Sequence, residues 1–442
     1  MENASNPRGL TGSSVRTRIR NAGSVAAAAI DRLITPERLK VYPIAFGTVT
    51  FLILFATILR GDFPRLPGGG VALPDYLAHW TGGRLLLDGS TSHLYDPSVQ
   101  RVVQHQDVGP GPLSWFISPP FATLMYAPFA AMNYGLSALV WTILSVVLLL
   151  AAIRLMRPFA PRLFSQHLTW IVVIVLSTQP VFEAIGSGQD SALSLLIWVF
   201  GIRLMLAGRD VPAGIVFALG LFKPQQFILI PIVLLIQRRF RALASWFATA
   251  GILAAASVAV VGVDGVKEWL RLPSSEFYDK TVHVAQAWKM QGLPALVTTL
   301  FPSEWSRVTS TIALGVVAIA AIFFIRQVVR SRTGGTTDIQ VWMLAMLATV
   351  VVSPHLFIYD LVLVLVPILY LIEHHNTRTV RVGCVFLFFL TWTVPLRHVI
   401  AGTSPWPVSL VEAAWTAIPL VVLWVVFARA LGLARTPQPI RS

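Results

Sequence analysis

Apolar runs long enough to cross, or nearly cross, a lipid bilayer alternate along this chain with short segments that are either basic or mixed in charge. About 20 apolar residues span the hydrocarbon as a helix, because a helix satisfies its own backbone polar groups where no water can. The pattern predicts spans at 41–59, 134–156, 168–184, 191–206, 211–222, 225–236, 243–261, 309–330, 341–352, 356–371, 379–398 and 408–429, a bundle of about twelve transmembrane helices. Two interruptions carry meaning. Pro119, Pro120 and Pro128 break a run too short to cross, which reads as an interfacial or re-entrant helix. Lys223-Pro224-Gln225 splits the pair 211–222 and 225–236, and the proline there ends one helix and frees backbone groups near membrane depth.

Charge fixes the sidedness. If the spans simply alternate, Arg154, Arg157 and Arg162, then Arg203 and Arg209, then the clusters Arg238-Arg239 and Arg326 to Arg332, all fall on one side. That is the bias expected of cytoplasmic loops. The arm 1–40, rich in arginine, and the tail 431–442 join that side, leaving 41–430 as the membrane domain. Two large loops, 61–134 and 263–308, lie on the other. The second contains V-D-G-V-K-E-W-L and H-V-A-Q-A-W-K-M, amphipathic and aromatic as expected of helices resting on a membrane surface. The expected fold class is thus an all-α polytopic membrane protein.

Composition narrows the field. Of 442 residues, 55% are hydrophobic and only 12% charged, too few charges to cover a soluble protein of this size. The net charge of +14 is dispersed between apolar runs and forms no continuous basic face with interleaved aromatics, which excludes nucleic acid as a partner. The single cysteine, Cys384, sits within an apolar run, so neither an intrachain disulfide nor a cysteine metal site can form.

The polar residues on the outer side are the candidates for chemistry. They are Asp75, Asp88, Glu183, Gln189, Asp190, Lys223, His355 and Asp360, and ionisable groups near membrane depth are costly enough to be functional by default. Asp75 opens P-D-Y-L-A-H-W-T-G-G-R-L-L-L-D-G, where Tyr76, His79, Trp80, Gly83 and Leu87 recur at helical spacing. Locally, an Asp after Pro reads as a helix cap. No nucleotide-cradling glycine loop, H-E-x-x-H or serine nucleophile elbow is present. No ligand spacing calls for a metal or another cofactor, so none is expected.

Five motifs in order carry a resemblance: D-Y-x-A-x-W-x-x-G-x-x-L-x-x-G-x-x-x-x-L-Y-D-P at 75–97, S-P-P-F at 118–121, G-Q-D-S-A-L at 188–193, G-L-F-K-P-Q at 220–225 and S-P-H-L-F-I-Y-D-L at 353–361. Together they resemble glycosyltransferase family 87, polyprenyl-phosphate-mannose-dependent alpha-1,2-mannosyltransferases of the GT-C fold. Asp190 stands where the relatives usually have Asn, and the late motif lacks their Trp and second His.

The resemblance implies a multi-pass enzyme of the plasma (inner) membrane with both termini cytoplasmic. Its active site would face the periplasm or exterior. There it would move a sugar, with mannose favoured, from a polyprenyl-phosphate-linked donor to a hydroxyl of a glycolipid or glycan acceptor among the membrane lipids. It assigns Asp75 as general base of an inverting transfer, with Tyr76, Gln189, Asp190, Lys223, His355 and Asp360 binding substrate. Lys223 and His355 are the groups expected to steady the leaving phosphate. The rival reading is a transporter or flippase of a lipid-linked or anionic solute, since broken helices and buried charges also mark transporters. No self-similarity between the halves supports it.

Overall fold

The computed structural model describes residues 36–60, 63–67, 69–111, 113–301, 306–332 and 337–430. The expectations for residues 1–35 of the arm and for the tail 431–442 lie outside these, as do short pieces of both outer loops. The described residues form helices and no strand, with only the isolated bridges Arg65 to Val71 and Met290 to Phe357.

The first helix, α1 (Pro36–Arg60), precedes the first outer loop. That loop carries α2 (Pro74–Leu87), α3 (Pro97–Val108) and the nine-residue α4 (Ala122–Ala130), which is too short to span. Then follow α5 (Tyr134–Leu155), α6 (Pro161–Leu176), α7 (Gln179–Ser187), α8 (Ser191–Leu206), α9 (Asp210–Leu219) and α10 (Ile230–Ile236). The run expected as one span at 168–184 is α6 and α7 bent by 57°, where Pro180 sits in the first turn of α7.

Next comes α11 (Phe240–Arg271), 32 residues long. It absorbs V-D-G-V-K-E-W-L, expected as a separate surface helix. Gly262, at φ 72°, kinks it instead of ending it. The second outer loop then contains α12 (Gly292–Thr298), and the chain finishes with α13 (Ser306–Ser331), α14 (Asp338–Val352), α15 (Leu365–His374), α16 (Arg378–Ala401) and α17 (Val408–Ala430). A short 3₁₀ stretch, Ile358–Val364, precedes α15.

Among the described residues five helices are long and apolar enough to cross a membrane, six counting the bent pair, and shorter apolar helices lie between them. Their outer faces bear this out. On α5, Leu139, Ile143, Val147 and Leu150 are exposed at helical spacing, while Ala138, Trp141, Ser145, Leu149 and Ala152 on the opposite face are buried. An exposed apolar stripe of this kind is solvated by lipid, whereas water would penalise it. At the centre runs α14, buried from Val341 to Val352 on every side, as expected of a helix apolar all round. The protein is an all-α membrane protein.

Candidate active site

α2 begins in an unusual way. Leu73 occupies the left-handed region at φ 55° as the N-cap, Pro74 follows at the first helical position, and Asp75 comes next. Asp75 is therefore not the cap. Its carboxylate lies in the first turn, where the helix dipole favours negative charge. Half-buried, it leaves Oδ2 enclosed without a hydrogen-bond partner among the described residues.

The rest of α2 divides by face. Tyr76 turns into the core, where its hydroxyl meets Ser137 Oγ at 2.6 Å and its ring stacks on Trp141 at 5.0 Å. Trp80 Nε1 donates to the Met132 carbonyl at 3.1 Å. The two glycines that follow allow a close approach: a Cβ on Gly83 would lie 2.7 Å from the Tyr126 backbone, so α2 and α4 pack main chain to main chain. One turn after Asp75, His79 is 8% exposed and stacks on Tyr126 at 4.4 Å with planes 9° apart.

Gly188 brings the second motif to this helix. It ends α7 at φ 76°, its carbonyl accepts Trp141 Nε1 at 2.8 Å, and a Cβ there would strike the Tyr76 Cβ at 2.5 Å. Gln189 and Asp190 are thereby held beside α2. Asp190 occupies the N-cap position of α8 but makes no capping bond. Its side chain is committed elsewhere, to Lys223 Nζ at 2.6 Å and the Tyr126 hydroxyl at 2.8 Å.

Lys223, at the proline break, is the hub. Besides Asp190, its ammonium meets Asp360 Oδ1 at 3.0 Å, Gln189 Oε1 at 3.1 Å and Ser191 Oγ at 3.3 Å, and lies 5.0 Å from the Tyr359 ring centroid. Ser191 Oγ donates to Asp360 Oδ1 at 2.9 Å, and the Phe357 amide donates to Asp360 Oδ2 at 3.3 Å. The 3₁₀ turn at Ile358–Val364 aims Asp360 inward toward this cation. Two buried carboxylates thus share one ammonium, which limits the pull Lys223 can exert on a further anion.

These groups wall a cavity of about 1070 Å³. Asp75, His79, Gln189, Lys223, His355 and Asp360 line it, and Asp190 supports Lys223 without lining it. Aromatic side chains, Trp115, Trp269, Tyr278, Trp288 and Trp406, line it as well. An apolar flank comes from Ala295 of α12, Ala313, Leu314 and Val317 of α13 and Ala413 of α17. His355 lies 3.2 Å, through Nδ1, from the Tyr278 hydroxyl, whose acidity burial weakens further.

The second outer loop is fastened over this chamber. Gln291 N donates to the Leu356 carbonyl at 2.8 Å, Trp288 stacks on His398 at 4.0 Å, and Lys289 pairs with Glu183 at 2.7 Å. Burial pulls the Lys289 ammonium down, but the carboxylates of Asp75 and Glu183 more than offset it and hold the group above its ordinary value. For His79 burial dominates over the opposing charge of Asp190 and lowers the imidazole below 6.5, so it is neutral at pH 7. Among the described residues no three His, Cys, Asp or Glu side chains gather as metal ligands would.

Of the residues singled out in the sequence, Asp75, Gln189, Lys223, His355 and Asp360 reach the cavity and Asp190 supports it, whereas Tyr76 faces away into the core. Asp88 and Asp96 stay outside, the first paired with Arg84 at 3.1 Å and the second capping α3 through the Ser98 amide at 2.8 Å. His79, Tyr126, Ser191, Tyr278 and Lys289 also belong to the site and were not among the candidates. His79 carried a usable signal, since it lies four residues after Asp75 and so on the same helical face.

Comparison with curated proteins and with solved structures gave no match for either. A family model did match: Glycosyltransferase family 87, over residues 116–354. The matched region is more than half of the chain and includes Gln189, Asp190 and Lys223. The chain belongs to glycosyltransferase family 87.

Proposed function

We propose that this membrane glycosyltransferase takes a sugar, mannose in our reading, from a polyprenyl-phosphate carrier and passes it to an acceptor hydroxyl with inversion at the anomeric carbon. Asp75 is the general base. The observation that carries the reading is the unpaired, enclosed Oδ2 of Asp75 on the wall of the cavity that also holds Lys223 and His355. A carboxylate within reach of the acceptor hydroxyl can take its proton as the bond from sugar carbon to phosphate oxygen breaks. One base suffices for a single displacement.

The leaving phosphate gathers charge, which fixed donors and cations stabilise. Of the two candidates, His355 is the more exposed and Lys223 is shared between Asp190 and Asp360. His355 therefore meets the phosphate, while Lys223 and Gln189 hold the sugar end with Asp360. The apolar flank of α12, α13 and α17 suits the prenyl chain, and the aromatic side chains of the lining suit an acceptor glycan, whose sugar faces stack on rings.

The same reading makes 41–430 one catalytic domain of about twelve spans. Short helices complete the crossings that the long helices begin. Both termini are cytoplasmic in the plasma membrane, and the cavity opens to the periplasm or exterior.

Purified protein supplied with polyprenyl-phosphate-mannose and candidate glycolipid or glycan acceptors should form a product of opposite anomeric configuration to the donor. No turnover with any lipid-phosphate sugar, together with solute uptake into vesicles carrying the protein, would overturn it in favour of transport.

A further inference from the structure

His79 is in a position the base mechanism leaves unexplained. It is nine-tenths buried, it lines the cavity, and among the described residues neither ring nitrogen has a hydrogen-bond partner. Burying such nitrogens without a partner costs about 1–3 kcal/mol each, so a packing role alone is a poor account of a histidine here. Phenylalanine would stack on Tyr126 as well. The ring is held by that stack and by the edge of Phe116, with centroids 6.5 Å apart.

The charged groups facing it are few. Asp75 lies one turn back on the same helix, its charge acting on the imidazole. From the packed elements come Asp190, whose Oδ2 is 3.9 Å from Nε2, Lys223 behind it, and the Tyr126 hydroxyl, which donates to that same Oδ2. Asp190 is occupied by Lys223 and Tyr126, so it does not act as the proton partner of His79. Asp75, with its free Oδ2, is left.

We propose that His79 relays the proton that Asp75 removes from the acceptor hydroxyl. The inference rests on Asp75 being the base. In the transfer step the acceptor O–H bond breaks, its proton goes to the Asp75 carboxylate, and the acceptor oxygen bonds the sugar carbon. The phosphate leaves with the electron pair of the carbon–oxygen bond. The carboxylic acid then gives its proton, through water in the cavity that both residues line, to the neutral imidazole, restoring the carboxylate. The imidazolium releases the proton to water in the cavity.

A carboxylic acid is ordinarily about 10²- to 10³-fold stronger an acid than an imidazolium, and burial of His79 moves the imidazolium toward the carboxylic acid, which favours the release that follows. His79 lies one helical turn from Asp75 on the wall of the same cavity, out of direct contact with it, so it acts by resetting the base between turnovers.

The test compares the purified parent with His79→Ala, His79→Gln and Asp75→Asn, using a polyprenyl-phosphate sugar and a fixed acceptor. His79→Ala should lower kcat on the order of 10-fold to 100-fold, with KM for the donor unchanged. Added imidazole should restore turnover, because the emptied space opens onto the cavity. The solvent deuterium isotope effect on kcat should also rise. Imidazole should not restore Asp75→Asn.

Should His79→Ala fail to fold, His79→Gln keeps a neutral hydrogen-bonding group that cannot carry the proton, and it should show the same loss and isotope effect. Full activity of a folded His79 variant beside an inactive Asp75→Asn overturns the relay and leaves the base. A loss that is neither rescued by imidazole nor accompanied by a changed isotope effect also overturns it, as a purely structural effect. Full activity of Asp75→Asn removes the base itself, and with it the relay.

Discussion

Replacing Lys223 with Met removes the one cation between two carboxylates that are each 1% exposed at the side chain. At 2.6 Å and 3.0 Å each attraction is about 6 kcal/mol at an effective dielectric of about 20. Desolvation of the three charges and the mutual repulsion of Asp190 and Asp360 offset much of that sum, which is why replacing whole buried clusters often leaves stability unchanged. Removing only the cation leaves two uncompensated buried anions, and the cost is then about 3–5 kcal/mol. Thermal unfolding of the purified protein in detergent, read by loss of the monodisperse peak, should show Lys223→Met well below the parent. Adding Asp190→Asn and Asp360→Asn to Lys223→Met should recover most of the loss. If Lys223→Met melts with the parent, or the triple variant is no better than the single, the cluster is not the buried, charge-coupled hub described above.

Two further outcomes follow from single positions. The His79 imidazole is held below its ordinary value of 6.5 by burial, so the unfolded chain binds the extra proton more readily. Its contribution to stability is complete above about pH 6.5 and shrinks as pH falls below that. His79→Phe should flatten this part of the stability profile between pH 7 and 5, and an unchanged slope would show that the ring is not buried in neutral form. Gly188→Ala meets both a φ of 76° and a Cβ contact of 2.5 Å with Tyr76. It should destabilise the protein by about 1–3 kcal/mol and lower kcat, because it pushes the segment bearing Gln189 and Asp190 away from α2. Parental unfolding and turnover in Gly188→Ala would refute that coupling.

Much of the site was legible because lipid makes charge conspicuous. Asp75, Gln189, Lys223 and Asp360 come from segments far apart in sequence, yet each stands out against apolar neighbours, and the alternation expected from the sequence would put all four on one side. Tyr76 lies off the cavity for a geometric reason. It follows Asp75 directly, so the helix turns it about 100° away, into the stack of Tyr134 and Trp141. Tyr126 and Ser191 left no trace in the pattern, because hydroxyls on apolar helices look alike whether they bond their own backbone or a distant carboxylate. The boundary at 263 also escaped, since a glycine that kinks a helix and one that ends it read the same. Lys289 was visible only as part of an amphipathic loop, and its pairing with Glu183 depends on how that loop folds back.

The most direct test of the central claim is a single-turnover measurement of sugar transfer by Asp75→Asn against the parent, with donor binding measured in parallel. Asn keeps the shape of the side chain at the start of α2 but cannot accept the proton. The transfer rate should fall about 10²- to 10⁴-fold with donor affinity retained. Transfer by Asp75→Asn at the parental rate, with the donor bound equally well, would contradict the assignment of Asp75 as the base.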